Sequence, residues 1–322
     1  MKNHRVEPQT QALLEQMAAS GAPSSLSDLP LEAARAALQQ MSHMLGVARC
    51  EVGRTEDRDI PGPNGAVPVR IYWPAATPGD SAPAMLLLFH GGGYALGDIG
   101  THDNMARYYC ARAGVVVINV DYRRSPEHKF PAGIEDCYAV LQWAAGHGGE
   151  IGANPARIAL TGDSAGGNFS AALCQAAKSR NGPKISFQAL VYPAVDQSVG
   201  ANHPSRKALG GGEFFLSLKD IAWVSDMYFT DQAREGLSPL ASPLLTSDLR
   251  GLPPALIITA GLDPLLDEGR LYHERLVAAG VASEYRCFDG TIHGFLSFGG
   301  ALDVGREALA LVADRVGKAL RG

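Results

Sequence analysis

The sequence lacks the features that mark several classes of protein. Its cysteines are few and scattered, with no Cys-x-x-Cys pair, so neither a zinc site nor a redox motif is indicated. We interpret them as small buried residues of a reducing compartment; they are Cys50, Cys110, Cys137, Cys174 and Cys287. No stretch approaches about 18 uninterrupted apolar residues, the length that a membrane-spanning helix needs. The sequence also has no internal repeat, low-complexity tract or run of like charges.

The remaining composition is that of a globular protein. A net charge of −5 gives no reason to expect nucleic acid as a partner. The first residues, Met1 to Arg5, lead into a polar stretch and not into the apolar core of a secretion signal. We therefore expect a cytoplasmic protein with no membrane span. With 322 residues, of which 46% are apolar and 19% charged, the chain can bury one large core.

Short apolar runs separated by helical patterns predict an α/β protein. Residues 48–73 are typical of an edge hairpin, with a turn signal at 61–65. Continuous apolar runs predict buried strands at 85–89 and 115–120. Further strands are predicted at 157–160, 187–191, 255–259 and 284–287. Helices are predicted at 102–113, 131–147, 165–178, 265–279 and 301–320. Strands that alternate with helices form a mostly parallel, doubly wound sheet with helices on both faces.

Two regions interrupt this alternation. Residues 1–46 carry two amphipathic helical patterns, and the second places on one face Leu31, Ala34, Leu38, Met41 and Met44. Residues 197–250 contain a helical pattern from Leu218 to Phe229 but no good strand, and an insertion this long in an α/β core is usually functional. Periodicity does not separate a structural arm from a lid. We expect the two regions to form a helical cap over a core of residues 47–196 and 251–322.

One short motif lies where a predicted strand gives way to a helix. Gly162-Asp163-Ser164-Ala165-Gly166 fits Gly-x-Ser-x-Gly, in which a sharp turn projects the serine hydroxyl at the end of the sheet. Glycines flank the serine because side chains there would collide with neighbouring elements. In a chain with 37 glycines this pattern arises by chance in about one chain in four, so it does not by itself make Ser164 a nucleophile. We expect Asp163 to fix the turn through local hydrogen bonds.

A glycine-rich loop upstream could hold the oxyanion that a serine nucleophile generates. His90-Gly91-Gly92-Gly93 follows the predicted strand at 85–89, and its consecutive glycines let bare N–H groups point at a ligand. The sequence arises by chance in only about one chain in seventy. A phosphate-binding loop is disfavoured, because no Gly-Lys-Ser/Thr ending is present and no Gly-x-Gly-x-x-Gly opens a helix there. We interpret the loop as an oxyanion loop, with His90 as its structural anchor.

A base and an acid follow the serine in the chain order Ser…Asp/Glu…His. His293 is the best candidate base among nine histidines, because it lies between two glycines after the last predicted strand. Asp263 is the favoured acid, since it follows the strand at 255–259, where its carboxylate can accept Nδ1–H of the histidine and fix its tautomer. Asp196, after the preceding strand, is the runner-up.

Together these motifs resemble the hormone-sensitive-lipase group of α/β-hydrolase esterases. The resemblance runs from about Val69 to Gly294 and rests on the stretches His90-Gly91-Gly92-Gly93-Tyr94, Asp121 to Ala132, Gly162 to Gly167, Asp263 to Gly269, and His293-Gly294-Phe295. It implies an α/β-hydrolase fold whose cap is built from an N-terminal helical region and an insertion after the sixth strand. Members often dimerise through an edge of the sheet, which makes a homodimer a candidate assembly.

The resemblance also implies a carboxylesterase that uses no cofactor and no metal. Its catalytic triad would be Ser164, Asp263 and His293, and the oxyanion would be held by the N–H groups of Gly92, Gly93 and Ala165. The substrate would be a small-molecule ester with a short to medium acyl chain. Two alternatives stay open: amide hydrolysis or acyl transfer on the same triad, and a non-catalytic binding protein that keeps the hydrolase fold. The second is disfavoured because some plant hormone receptors that resemble this family have lost the triad histidine, which is present here as His293.

Overall fold

The computed structural model describes residues 5–21, 25–76 and 82–321, and one eight-stranded sheet runs through them. Its strands are β1 Arg54–Gly62, β2 Gly65–Trp73, β3 Met85–Phe89, β4 Val116–Val120, β5 Ile158–Asp163, β6 Phe187–Val191, β7 Ala255–Leu262 and β8 Ser283–Ile292. They lie in the order β1-β2-β4-β3-β5-β6-β7-β8. β2 pairs antiparallel with β1 and β4, and the other pairs are parallel. The predicted mostly parallel α/β-hydrolase sheet, with a hairpin at one edge, is confirmed.

Helices cover both faces of the sheet. The α-helices are α1 Pro8–Ala19, α2 Leu31–Leu45, α3 Asp103–Ala113, α4 Ala132–His147, α5 Ala165–Ser179, α6 Pro204–Leu209, α7 Leu218–Tyr228, α8 Gln232–Glu235, α9 Leu266–Ala278 and α10 Asp303–Arg321. Helices α4, α5 and α9 pack on one face, and α3 and α10 on the other. Among the described residues, no helix has the length and apolar character that crossing a membrane requires.

Strand β3 shows why the central strands are continuous apolar runs. Its side chains alternate between the two cores: Met85, Leu87 and Phe89 belong to the cluster with α4 and α5, and Leu86 and Leu88 to the cluster with α3 and α10. All five are fully buried. A parallel strand that is covered on both faces needs apolar side chains at every position.

The last two strands are longer than their sequence predicts. β7 continues past residue 259 to Leu262, and β8 runs to Ile292, with an irregularity in their pairing between Ala260 and Leu262. The added segments contain glycines and an aspartate, which are poor strand formers, so pairing between the two strands outweighs local propensity. As a result Asp263 and His293 follow directly after the ends of neighbouring strands.

The two strand-free regions contact each other and the core. The N–H of Ser27 donates to Asp220 Oδ1 at 3.3 Å, and Lys219 pairs with Asp28. Within 197–250 the structure places α6, α7, α8 and an isolated bridge, but no strand, as expected. At the end of the apolar face predicted for α2, Met44 is 67% exposed, and Leu45 packs against the core in the last turn.

Helix α2 is fastened to the core by Arg35. Its Nε donates to the carbonyl of Ala95 at 2.9 Å, and Nη2 donates to the carbonyl of Ser125 at 3.1 Å. The same guanidinium pairs with Glu127. The bond to Ala95 reaches the segment just after Gly93, so α2 is joined directly to the glycine-rich loop that follows β3. The bonds to Ser125 and Glu127 join α2 to the segment after β4.

The burial of helix α5 leads to a testable prediction about packing. Every residue from Ala165 to Ala177 is buried, and Ala172 is fully enclosed in the core. We expect Ala172→Leu to lower the free energy of unfolding by about 1–3 kcal/mol, because a larger side chain forces its neighbours apart. Urea denaturation measures this change. Ala36→Leu, on the exposed side of α2, should change the same quantity by less than about 0.5 kcal/mol; equal effects of the two variants would contradict the prediction.

Candidate active site

Three side chains from distant parts of the sequence meet beyond the carboxyl ends of the parallel strands. Ser164 follows β5, Asp263 follows β7 and His293 follows β8. Nε2 of His293 lies 2.9 Å from Ser164 Oγ, and its Nδ1 lies 2.7 Å from Asp263 Oδ2. The aspartate is fully buried, and its other oxygen accepts the N–H of Leu265 at 2.8 Å. This arrangement fixes the tautomer in which Nδ1 carries the proton and Nε2 can accept one from the hydroxyl.

The serine occupies a strained turn between β5 and α5. Its φ is 55° and its ψ is −114°, a conformation that residues with a side chain rarely adopt. Helix α5 begins so close to β3 that a methyl group on Gly166 would overlap the carbonyl of Phe89. A methyl group on Gly162 would overlap Gly166. The glycines that flank Ser164 are therefore required by close approach.

The glycine-rich loop after β3 lies beside this turn between β5 and α5. Gly92 and Gly93 have φ of +110° and +58°, in the range that favours glycine. The carbonyl of Gly92 closes the turn by accepting N–H groups of Ala95 and Leu96, at 3.2 and 2.8 Å. In the part of the chain that the structure describes, the N–H groups of Gly92, Gly93 and Ala165 donate to no protein acceptor. All three stay available to a ligand oxygen.

His90 lies fully buried beneath the oxyanion loop. Its ring stacks on Tyr122 with centroids 4.1 Å apart, and the Tyr122 hydroxyl donates to the His90 carbonyl at 2.8 Å. Nδ1 lies 2.9 Å from the carbonyl of Gly91. Burial lowers the pKa of His90 to about 3, so the ring is neutral at physiological pH. These contacts are the ones an anchor of the loop would make.

Asp163 does not make the local hydrogen bonds expected of it. Its Oδ1 accepts the N–H of Gly91 at 3.0 Å and lies 2.8 Å from Nε2 of His102. The expectation was wrong because the side chain leaves the turn towards the loop after β3, the neighbouring strand. Sequence reasoning missed His102 altogether, since nothing in its flanking residues sets it apart from the other histidines.

Other carboxylates near the site have partners of their own. Asp196, the alternative acid, lies 2.8 Å from Nε2 of His203, so it does not serve His293. Glu268 is fully buried and accepts the N–H groups of Val195 and Asp196, at 2.9 and 3.2 Å. It also pairs with Arg206 of α6, at 2.6 Å. Helix α6 is thereby joined to the first turn of α9, one turn beyond Asp263.

The geometry suits one class of chemistry. A hydroxyl next to an imidazole, which is itself held by a buried carboxylate, is the arrangement that activates a serine nucleophile. Unused N–H donors beside it suit an oxyanion that forms when a carbonyl is attacked. Across residues 5–21, 25–76 and 82–321, no three His, Cys, Asp or Glu side chains are grouped as a metal site would need.

Known proteins share both the sequence and the fold. The family described as alpha/beta hydrolase fold matches residues 86–297. Carboxylic ester hydrolase LipN of Mycobacterium tuberculosis is 40% identical over 91% of this chain and 77% of that protein. An arylesterase of Saccharolobus solfataricus is 35% identical over 80% of this chain and 83% of its own length.

Solved structures give the same result. An α/β hydrolase from the metagenome of Lake Arreo superposes with a TM-score of 0.93 at 36% identity and covers 99% of both chains. The esterase of Pyrobaculum calidifontis superposes with a TM-score of 0.89 at 36% identity, over 97% of this chain and 98% of its own. The chain therefore belongs to the alpha/beta hydrolase fold family, in the branch that resembles hormone-sensitive lipase.

Proposed function

We propose that this protein is a serine carboxylic ester hydrolase. Ser164 is the nucleophile, His293 the general base and Asp263 the residue that orients it. The observation that carries the proposal is the continuous chain of short contacts from Ser164 Oγ to His293, at 2.9 Å, and from His293 to Asp263, at 2.7 Å. The names of the relatives, a carboxylic ester hydrolase and an arylesterase, support ester hydrolysis by this chain.

The reaction proceeds in two halves through an acyl-enzyme. Nε2 of His293 takes the proton of Ser164 as Oγ attacks the ester carbonyl, and the negative charge on the carbonyl oxygen is held by the N–H groups of Gly92, Gly93 and Ala165. His293 then gives the proton to the leaving alcohol. In the second half His293 takes a proton from water as the water oxygen attacks the acyl carbon. The bond from that carbon to Oγ then breaks, His293 returns the proton to Ser164, and the carboxylic acid leaves.

We infer that residues 1–46 and 197–250 form a cap that borders the substrate. Three contacts support this inference. The two regions are hydrogen-bonded to each other through Ser27 and Asp220. Arg35 fastens α2 to the carbonyl of Ala95, two residues after the oxyanion glycines. Val224 of α7 lies against Gly93, where an added methyl group would come within 2.6 Å of Val224 Cγ1.

The same contact bears on the choice of substrate. Val224 is half-buried and borders an oxyanion donor, so it limits the room for the group attached to the reacting carbonyl. A valine there leaves space for short to medium acyl chains of small-molecule esters and restricts longer ones.

Replacing the nucleophile tests the function. We expect Ser164→Ala to lower kcat/KM for p-nitrophenyl butyrate by at least about 1,000-fold, because no acyl-enzyme can form. Ser170→Ala is the matched control: this serine is buried on the same helix, where it donates to the carbonyl of Gly166, and its loss should change kcat/KM by less than about threefold.

Two results would overturn the proposal. The first is a Ser164→Ala variant that hydrolyses the ester as fast as the wild type. The second is a wild type that turns over no ester in an acyl series from acetate to decanoate. The corresponding p-nitroanilides, assayed in parallel, decide between an esterase and an amidase.

Widening the space beside Gly93 tests the substrate inference. We expect Val224→Ala to raise the ratio of kcat/KM for the octanoate to that for the butyrate by about tenfold, the effect of one or two methyl groups in an apolar pocket. Asp226→Ala, on the exposed side of α7, should leave the ratio unchanged. An unchanged ratio in Val224→Ala would show that α7 does not border the acyl chain.

A further inference from the structure

Asp163 is a buried carboxylate next to the nucleophile that the proposed reaction does not use. It is the last residue of β5 and only 7% exposed. A carboxylate this deeply buried destabilises the fold unless it is hydrogen-bonded and paired. Both of its partners come from outside the elbow, which indicates that it joins separate segments of the chain.

Its first partner is the backbone at the start of the oxyanion loop. The N–H of Gly91 donates to Asp163 Oδ1 at 3.0 Å. A methyl group on Gly91 would overlap the carboxylate of Asp163, and Gly91 is not among the glycines with positive φ. Glycine is therefore required at this position by the contact with Asp163 and not by its backbone conformation.

Its second partner is the side chain of His102, which precedes α3 and is 5% exposed. Nε2 lies 2.8 Å from Asp163 Oδ1, and Nδ1 lies 2.9 Å from Thr101 Oγ1. Burial alone would raise the pKa of Asp163, but the electrostatic attraction and hydrogen bond of the His102 ring hold it below its usual value. The carboxylate is therefore ionised at neutral pH and kept in one orientation.

The end of the pairing between β3 and β5 shows why the hydrogen bond between Gly91 and Asp163 matters. The pairing of β3 with β5 ends at Phe89 and Gly162. Beyond that pair no ladder hydrogen bond joins the two segments. The one after β3 carries Gly92 and Gly93, and the one after β5 carries Ser164 and Ala165. The hydrogen bond from Gly91 to Asp163 joins them one step past the last ladder pair.

We propose that Asp163 is a positioning residue of the oxyanion hole. Held by His102, it binds the N–H of Gly91 and so sets the distance between the donors after β3 and the nucleophile after β5. The proposal rests on the ester hydrolysis proposed above. The oxyanion exists only once the carbonyl has been attacked. A displaced loop therefore reduces the stabilisation of the transition state but does not change the affinity for the bound substrate.

Substitutions at Asp163 separate this role from general stability. We expect Asp163→Ala to lower kcat for p-nitrophenyl butyrate by about 10- to 100-fold with KM within about twofold, somewhat less than the loss of a whole oxyanion donor. Asp163→Asn keeps an Oδ1 that can accept from Gly91 and His102, so its kcat should stay within about threefold of the wild type.

Asp136→Ala is the control: it removes a buried carboxylate that pairs with Arg123, and it should lower the midpoint of urea unfolding without changing kcat or KM.

A second variant tests the same contact from its other side. Gly91→Ala places a methyl group against the carboxylate, and we expect the same fall in kcat at constant KM. The affinity of a trifluoromethyl ketone, which forms a tetrahedral adduct on the serine, should fall in step with kcat/KM in both variants. If Asp163→Ala does not fold, the kcat and KM of Gly91→Ala and Asp163→Asn still test the contact between Gly91 and Asp163.

The possible failures are distinguishable. An active wild type whose Asp163→Ala or Gly91→Ala variant keeps its kcat would overturn the positioning role alone. So would a rise in KM at constant kcat, or an asparagine variant as impaired as the alanine variant. A wild type without ester turnover would overturn the proposed function and this inference together.

Discussion

The close approach of helix α5 to strand β3 is the constraint on which the site depends. At Gly166 the helix leaves no room for a side chain against the carbonyl of Phe89. To enter the helix so near the sheet, the chain must turn sharply, and Ser164 takes the strained conformation of that turn. The same approach brings the first N–H of α5, that of Ala165, next to the loop after β3. The strained turn at Ser164 and the position of the Ala165 N–H thus follow from one packing contact.

Buried carboxylates hold the segments around that contact in fixed positions relative to one another. Asp263 joins the turn after β7 to His293, Asp163 joins the elbow to the oxyanion loop, and Glu268 joins α9 to Arg206 of the insertion. Each accepts at least two hydrogen bonds, which offset the cost of burying a carboxyl group in an apolar interior. Because at least one bond of each carboxylate joins different elements, these groups fix relative positions that apolar packing alone would not determine.

The sequence predicts the sheet well because a doubly covered strand must be apolar at every position, as β3 is. It predicts the ends of β7 and β8 poorly, since Gly261 and Gly290 have little strand propensity and are held by pairing between the strands.

For the site, motif order singles out Ser164, Asp263 and His293, whose proximity the structure shows. The partners of Asp163 could not be found in this way. Its bonds to Gly91 and His102 join residues 72 and 61 positions away, and neither local pattern nor spacing indicates a contact at such separations.

The hydrogen bonds of Arg35 have a consequence for motion. The carbonyl of Ala95, which Arg35 binds, belongs to the turn that Gly92 closes. Helix α2 is therefore linked directly to the turn that carries Gly92 and Gly93. An outward displacement of α2 would pull on that turn. Helix α7 is linked to it as well, because the ring of Tyr228 stacks on that of Tyr94 with centroids 3.8 Å apart. A movement of either helix away from the sheet therefore breaks a contact with residue 94 or 95.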